Sequence, residues 1–380
     1  MIYFDNAATS FPKAPGVSDC VKKFIDEKCF NVGRGAYAAA FETEQIVFET
    51  RELLADFFHA QKGKSVIFTC GLTQSLNAAL FGLLKGGDKA ITSSMEHNAV
   101  LRPLWQLKKQ GVGVDFAPCN ADGEVCLSAL EGMLKNSPKV LVMTHASNIC
   151  GAVMPLFEIG ELCKKYGVLF ALDAAQTGGV IDIDMERDNI DVLCFSGHKG
   201  LLSLQGVGGY ILSERAASML EPFVFGGTGS LSHSLEMPRH LPDRFEAGTP
   251  NLVGIAALNC SLKYIIKQGI ENIYQKEIQL QQNFENGIKE IKNITIVGGG
   301  AKKRCAVTAL DFLSLDNSHA AFRLDSEMGI MVRSGLHCAP LAHKTLGTFP
   351  KGAVRFSFGH ANTREEIDIS LSALKRIAAG

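Results

Sequence analysis

The sequence has no block of like charges: 38 Lys and Arg stand against 39 Asp and Glu in 380 residues. That balance removes the basic surface that nucleic acid or an anionic membrane requires and points to a small-molecule ligand. No apolar run approaches the about eighteen residues of a membrane span. The opening MIYFDNAATSFPK lacks a charged region ahead of an apolar one, so a soluble, cytoplasmic protein is expected. The eleven cysteines form no CxxC pair. Several, among them Cys163, Cys194 and Cys260, fall in apolar runs where cysteine acts as a small hydrophobe. Neither a disulfide framework nor a metal site is expected. The phosphate-binding patterns GxxxxGK[ST] and GxGxxG are both missing, as are internal repeats and low-complexity segments.

What is present is alternation. From about Ser65 to Leu212, short aliphatic runs (SVIFT, KAITS, GVDFA, KVLVMTHA, VLFALDAA, DVLCFS, GGYIL) are separated by amphipathic stretches, one of them a helix from Thr73. This predicts an α/β fold with a mostly parallel central sheet, helices on both faces, and ligands beyond the carboxyl ends of the strands. FGGTGS (Phe225 to Ser230) and EAGTPN (Glu246 to Asn251) mark a boundary. Helices are expected over Leu252 to Ile266 and Ile270 to Ile291. A smaller α+β region follows, with strands AVTALDF, GIMVRS and AVRFSF and a last helix from Thr363, where Thr363 and Glu366 have capping-box spacing. The expected division is a large domain of residues 16–250, and a small domain of 1–15 with 251–380.

Polar residues cluster where these strands end. DVLCFSGHKG delivers Ser196, His198 and Lys199 in a turn. A lysine there either snorkels to the surface or is paired or consumed, for instance as a Schiff base with a carbonyl cofactor. Asp173 ends the run VLFALD, where a buried carboxylate needs a cation such as a protonated pyridine nitrogen; capping the next helix is the other reading, and it applies to Gln176 as well. In TCGLTQSLN, the amides near Gly71 and Leu72 and the Thr73 hydroxyl start a helix, as a phosphate site does. His97 follows KAITS and Asn148 follows KVLVMTHA, so Thr73, His97, Asn148, Asp173, Gln176, His198 and Lys199 share one sheet edge.

With these residues assembled, the chain resembles the cysteine desulfurases and selenocysteine lyases, fold-type I pyridoxal-phosphate enzymes of the class V aminotransferase group. The resemblance runs from YFDNAATS through SMEHNA, ASNICG, LDAAQ and FSGHKG to RSGLHCA and RFSFGHANTREEID. It implies that Lys199 forms the Schiff base with pyridoxal 5′-phosphate, that His97 stacks on the ring, and that Asp173 meets the ring nitrogen. Gln176 and Asn148 would lie near the ring hydroxyl. Leu72, Thr73, Ser196 and His198 would hold the phosphate, joined by Thr228 from the second subunit of a homodimer. Arg355 would take the substrate carboxylate, with Asn148 and Arg333 beside it. The catalytic set is then Lys199, His97 and Cys338, whose thiolate attacks the sulfur of L-cysteine and becomes a persulfide as the substrate turns into alanine.

Cys338 lies in RSGLHCAP, a short polar loop expected between two strands, with Arg333 and His337 as candidate activating cations. The loop resembles the group II branch, although Leu336 stands where that branch often has histidine and SFGHANT also departs from it. The leading expectation is a cysteine desulfurase that hands its sulfur, or selenium, to an acceptor protein. The alternatives are a selenocysteine lyase, a class V aminotransferase, or a non-catalytic sulfur-trafficking scaffold.

Overall fold

The seven runs expected as strands form one sheet. In the computed structural model, which describes residues 1–33, 35–61 and 63–378, its spatial order is Val66–Thr69, Gly208–Leu212, Val192–Ser196, Leu169–Asp173, Val140–Thr144, Lys89–Ser93 and Gly113–Ala117. Gly208–Leu212 runs antiparallel to both neighbours, and the other pairs are parallel.

The three strands Val140–Thr144, Leu169–Asp173 and Val192–Ser196 are buried at every position, so both faces need cover. Alternate side chains divide accordingly. Leu141, Met143, Phe170, Leu172, Leu193 and Phe195 pack with Leu54, Phe58, Ile159, Leu258 and Leu262. Val142, Leu169, Ala171 and Val192 pack with Leu76, Leu80, Leu104 and Leu107 from the helices Leu72–Leu83 and Asn98–Lys109 on the other face. The helix Leu252–Gln268 joins the first group and lies against helices Val17–Glu27 and Ala38–Phe57.

The C-terminal part is a four-stranded antiparallel sheet in the order Arg333–Gly335, Ala353–Ser357, Val307–Phe312 and Ile294–Val297. Phe284, Leu310, Phe356 and Leu374 are in its core, shared with helices Ile270–Ile288 and Arg364–Ala378. The strand expected over GIMVRS is broken at Val332: Ile330–Met331 pairs in parallel with Ile2–Tyr3, while Arg333–Gly335 joins the four-stranded sheet. Two different partners demand two directions of hydrogen bonding, and the break supplies them. By this pairing the N-terminus reaches the C-terminal sheet, where Asp5 bridges to Ser357. The last helix starts as its capping box predicts: Thr363 N–H donates to Glu366 Oε2 at 3.1 Å, and Glu366 N–H donates to Thr363 Oγ1 at 3.3 Å.

Candidate active site

The parallel strands end together, and the turn after Val192–Ser196 is held from two sides. A Cβ on Gly197 would lie 2.8 Å from Val207 Cγ1 and 2.9 Å from its carbonyl oxygen, so only glycine lets the chain pass here. The N-terminal segment closes the other side. Ser10 N–H, the hydroxyls of Thr9 and Ser10, and Lys13 Nζ all donate to the His198 carbonyl.

This turn places Lys199 in a cavity of about 280 Å³ that is also lined by Leu72, Thr73, His97, Asn148, Asp173, Gln176, Ser196 and His198. Burial pulls the Lys199 ammonium down to about 8; Asp173 opposes this, and Arg355 and Arg333 add to it. Near pH 7 roughly a tenth of the side chain is then the neutral amine that attacks a carbonyl, far more than for an exposed lysine. Asp173 is buried and accepts Ala175 N–H at 2.8 Å. Burial raises its pKa, which the Ala175 amide and Lys199 partly offset, and no cationic side chain pairs with it among the described residues. A buried carboxylate so short of donors fits the protonated ring nitrogen of pyridoxal phosphate.

His97 caps the helix Asn98–Lys109, with Nδ1 accepting Ala99 N–H at 3.0 Å, so its proton sits on Nε2. Burial first, then Lys199, Arg355 and Arg102, lower it to about 4, which makes it a neutral ring suited to lie against another ring. At the start of the helix Leu72–Leu83, Gln74 N–H to Gly71 O, 3.1 Å, is the first bond of the turn, and Leu72 and Thr73 before it line the cavity. The hydroxyls of Thr73 and Ser196 make no hydrogen bond among the described residues. His198, lowered to about 4 by burial and by Lys199 and Lys13, sets Nδ1 3.0 Å from Thr9 Oγ1. Gln176 donates to Ala7 O at 3.2 Å.

Thr228 does not line this cavity. It lies on a larger one of about 1200 Å³ beside Arg51 and Glu246, and the two cavities share Cys70 and Gln74.

Toward the C-terminal sheet, Arg355 is buried. Its Nη1 donates to Asn148 O at 3.0 Å, its Nη2 donates to Asp5 Oδ1 at 2.8 Å, and its Nε has no partner. Arg333, half exposed, donates to the same Asp5 carboxylate.

Cys338 is exposed, and its loop runs into a short helix, Pro340–Thr345, rather than directly into a strand. The loop backbone is pinned: Asn148 Nδ2 donates to His337 O at 2.9 Å, and Asn98 N–H donates to Cys338 O at 2.7 Å. Both His337 and Cys338 take positive φ, 49° and 56°, a strained choice for residues with a Cβ. His337 is not the cation that the sequence suggested. Burial, above all, lowers it to about 3, and its ring nitrogens sit 3.3 Å from His343 Nε2 and 3.3 Å from Arg333 O.

Two acidic residues escaped the sequence reading. Glu96, buried next to His97, receives Thr144 N–H on both oxygens, and burial raises it to about 8, with the Asp173 charge adding to the rise. Protonated, it adds no second negative charge beside Asp173. An acid directly before a histidine that follows a strand was the available signal. Asp5 had none, because its partners lie more than 320 positions away.

Three comparisons show what the whole chain is similar to. The family model described as aminotransferase class-V matches residues 2–369. A probable cysteine desulfurase of Pyrococcus abyssi is 33% identical, covering 99% of this chain and 94% of that protein. A cysteine desulfurase of Yersinia pseudotuberculosis is 31% identical, covering 99% and 93%. The apo structure of a cysteine desulfurase from Thermococcus onnurineus superposes with a TM-score of 0.94 at 32% identity, covering 100% of this chain and 95% of that one.

Proposed function

The chain belongs to the class-V aminotransferase family, whose members use pyridoxal phosphate, and we propose that it is a cysteine desulfurase converting L-cysteine to L-alanine with Cys338 as sulfur acceptor. The observation that carries this reading is the bond from Asn98 N–H to Cys338 O: Asn98 follows His97, which lines the Lys199 cavity, so the thiol loop is tied beside that cavity.

Bound pyridoxal phosphate supplies an electron sink for the bonds at the substrate α-carbon. Lys199 would anchor it through its amine, and the same amine, when free, would take the substrate α-proton. Asp173 would meet the ring nitrogen, His97 would cover the ring, and Gln176 and Asn148 would lie toward the ring hydroxyl. Leu72, Thr73, Ser196 and His198 would hold the phosphate. Arg355 receives the substrate carboxylate through its unpaired Nε edge. The Cys338 thiolate attacks the substrate sulfur, the carbon–sulfur bond breaks, and its electron pair stays on carbon to be protonated. The sum is L-cysteine plus Cys338–SH giving L-alanine plus Cys338–S–SH, and no outside oxidant enters.

Thr228 completes the phosphate site of a second copy in a homodimer. Support comes from its absence from its own cavity and from exposed Phe41, Phe48, Phe223 and Phe225, since Phe48 and Phe223 line the same larger cavity. The persulfide on the exposed Cys338 is open to an acceptor protein.

The test is incubation of the purified protein with L-cysteine and, separately, with L-selenocysteine, followed by alanine and by the intact mass at Cys338. Alanine with a gain of one sulfur on Cys338 is the expected result. Alanine from selenocysteine alone, unchanged in Cys338→Ala, would mark the protein as a selenocysteine lyase.

A further inference from the structure

The Asp5 carboxylate of the DNAAT segment has no part in the chemistry described so far. We propose that Asp5 is a positioning residue for both halves of the reaction: it presets Arg355 to receive the substrate carboxylate and holds the Arg333 cation away from the Cys338 thiol. The inference rests on the desulfurase reading.

Arg333 and Arg355 stand directly opposite each other across antiparallel strands. Like charges so placed repel, and the pair is tolerable only with an anion between them. Asp5 is that anion. Its Oδ1 accepts Arg355 Nη2 at 2.8 Å, and its Oδ2 accepts Arg333 Nε at 3.0 Å and Nη2 at 2.7 Å. One carboxylate between two guanidinium groups leaves one positive charge for one further carboxylate.

Arg355 cannot seek water, because it is buried and already tied through Nη1 to Asn148 O. Its Nε is buried without an acceptor, a costly state that an arriving substrate oxygen relieves. With Nη1 held by Asn148 O and Nη2 by Asp5 Oδ1, the guanidinium is fixed before substrate comes.

Arg333 is the freer partner, half exposed, and sits on the strand Arg333–Gly335 that leads into the Cys338 loop. Its bonds to Asp5 through Nε and Nη2 neutralise and orient it. A guanidinium released beside the thiol would stabilise the thiolate, and a thiolate of lower pKa is a weaker nucleophile. The other groups around the loop are Arg355 on the neighbouring strand, Lys199 across the cavity, and the neutral imidazoles of His97 and His337.

The experiment compares wild type, Asp5→Asn and Asp5→Glu as holoenzymes. It reads the pH profile of Cys338 alkylation by iodoacetamide, followed by mass spectrometry, and the KM and kcat for alanine formation. In Asp5→Asn the alkylation midpoint should fall by about one pH unit. Loss of a charge-assisted hydrogen bond should raise KM about tenfold or more, with a smaller change in kcat and the cofactor absorbance intact. Asp5→Glu should recover part of both, and the double variant Asp5→Asn with Arg333→Met should lose the alkylation shift. A merely structural Asp5 would lower thermal stability without moving the midpoint.

An unshifted midpoint in a folded, cofactor-loaded Asp5→Asn protein overturns the proposal. Should that variant fail to fold, Arg333→Met decides: a midpoint equal to wild type supports an Arg333 already neutralised by Asp5, and a raised midpoint overturns it. If wild type itself makes no alanine, the desulfurase reading has failed, while the alkylation profiles still judge Asp5.

Discussion

Asn148 Nδ2 holds the carbonyl of His337 at 2.9 Å across 189 positions of sequence, and the Asn148 carbonyl in turn accepts from Arg355 at 3.0 Å. One residue thus joins the substrate arginine to the thiol loop. The backbone at His337 and Cys338 is strained by its positive φ, a cost of order 1–3 kcal/mol per residue that neighbouring contacts must offset.

Removing that contact in Asn148→Ala should let the loop relax away from the cavity. Persulfide formation on Cys338 should fall by roughly tenfold or more, since one buried hydrogen bond is worth about 1–3 kcal/mol. The visible absorbance of the bound cofactor should persist. Single-turnover mass spectrometry of Cys338 reads the first quantity and absorption spectroscopy the second.

Lys199→Ala should abolish the covalent attachment of pyridoxal phosphate. The visible band of the purified protein should disappear, and borohydride treatment should leave no mass added at position 199. A band that survives with that mass added at another lysine would refute the anchor.

Two buried groups give opposite pH signatures. Burial holds His145 down at about 3, with Nδ1 2.8 Å from Thr177 Oγ1, against about 6.5 in an unfolded chain. Its stabilisation is complete above about 6.5 and is lost as pH falls toward 3, by up to about 1.4 kcal/mol per unit. Glu277 is raised by burial to about 8, from about 4.3 unfolded. What it stabilises is complete below about 4.3 and is lost as pH rises toward 8. Glu277→Gln should therefore unfold like wild type near pH 4 and resist urea better than wild type at pH 8. Urea unfolding at the two pH values checks the sign.

Thr363→Ala removes one arm of the capping box at the last helix. It should destabilise the protein by about 1 kcal/mol, read as a lower urea midpoint with an unchanged slope.

Much of this architecture was legible in short windows. The strands ending at Ser93, Thr144, Asp173 and Ser196 are buried along nearly their whole length, so they are written as unbroken apolar runs, and the first polar residue after each marks the sheet edge. Parallel pairing brings those ends together without further instruction, which is why Lys199, Asp173 and His97 could be grouped before the fold was seen. The cap at Thr363 needs only residues three apart. Other features depended on which distant segments pack together. The break at Val332 follows from the N-terminal strand claiming Ile330–Met331, and the neutral state of His337 follows from its burial against His343. The sharing of Asp5 by Arg333 and Arg355 needs three segments in one register. Periodicity and turn chemistry act over a few residues and are therefore carried by the sequence itself. Charge pairing and desolvation act through space, and here only tertiary packing decided them.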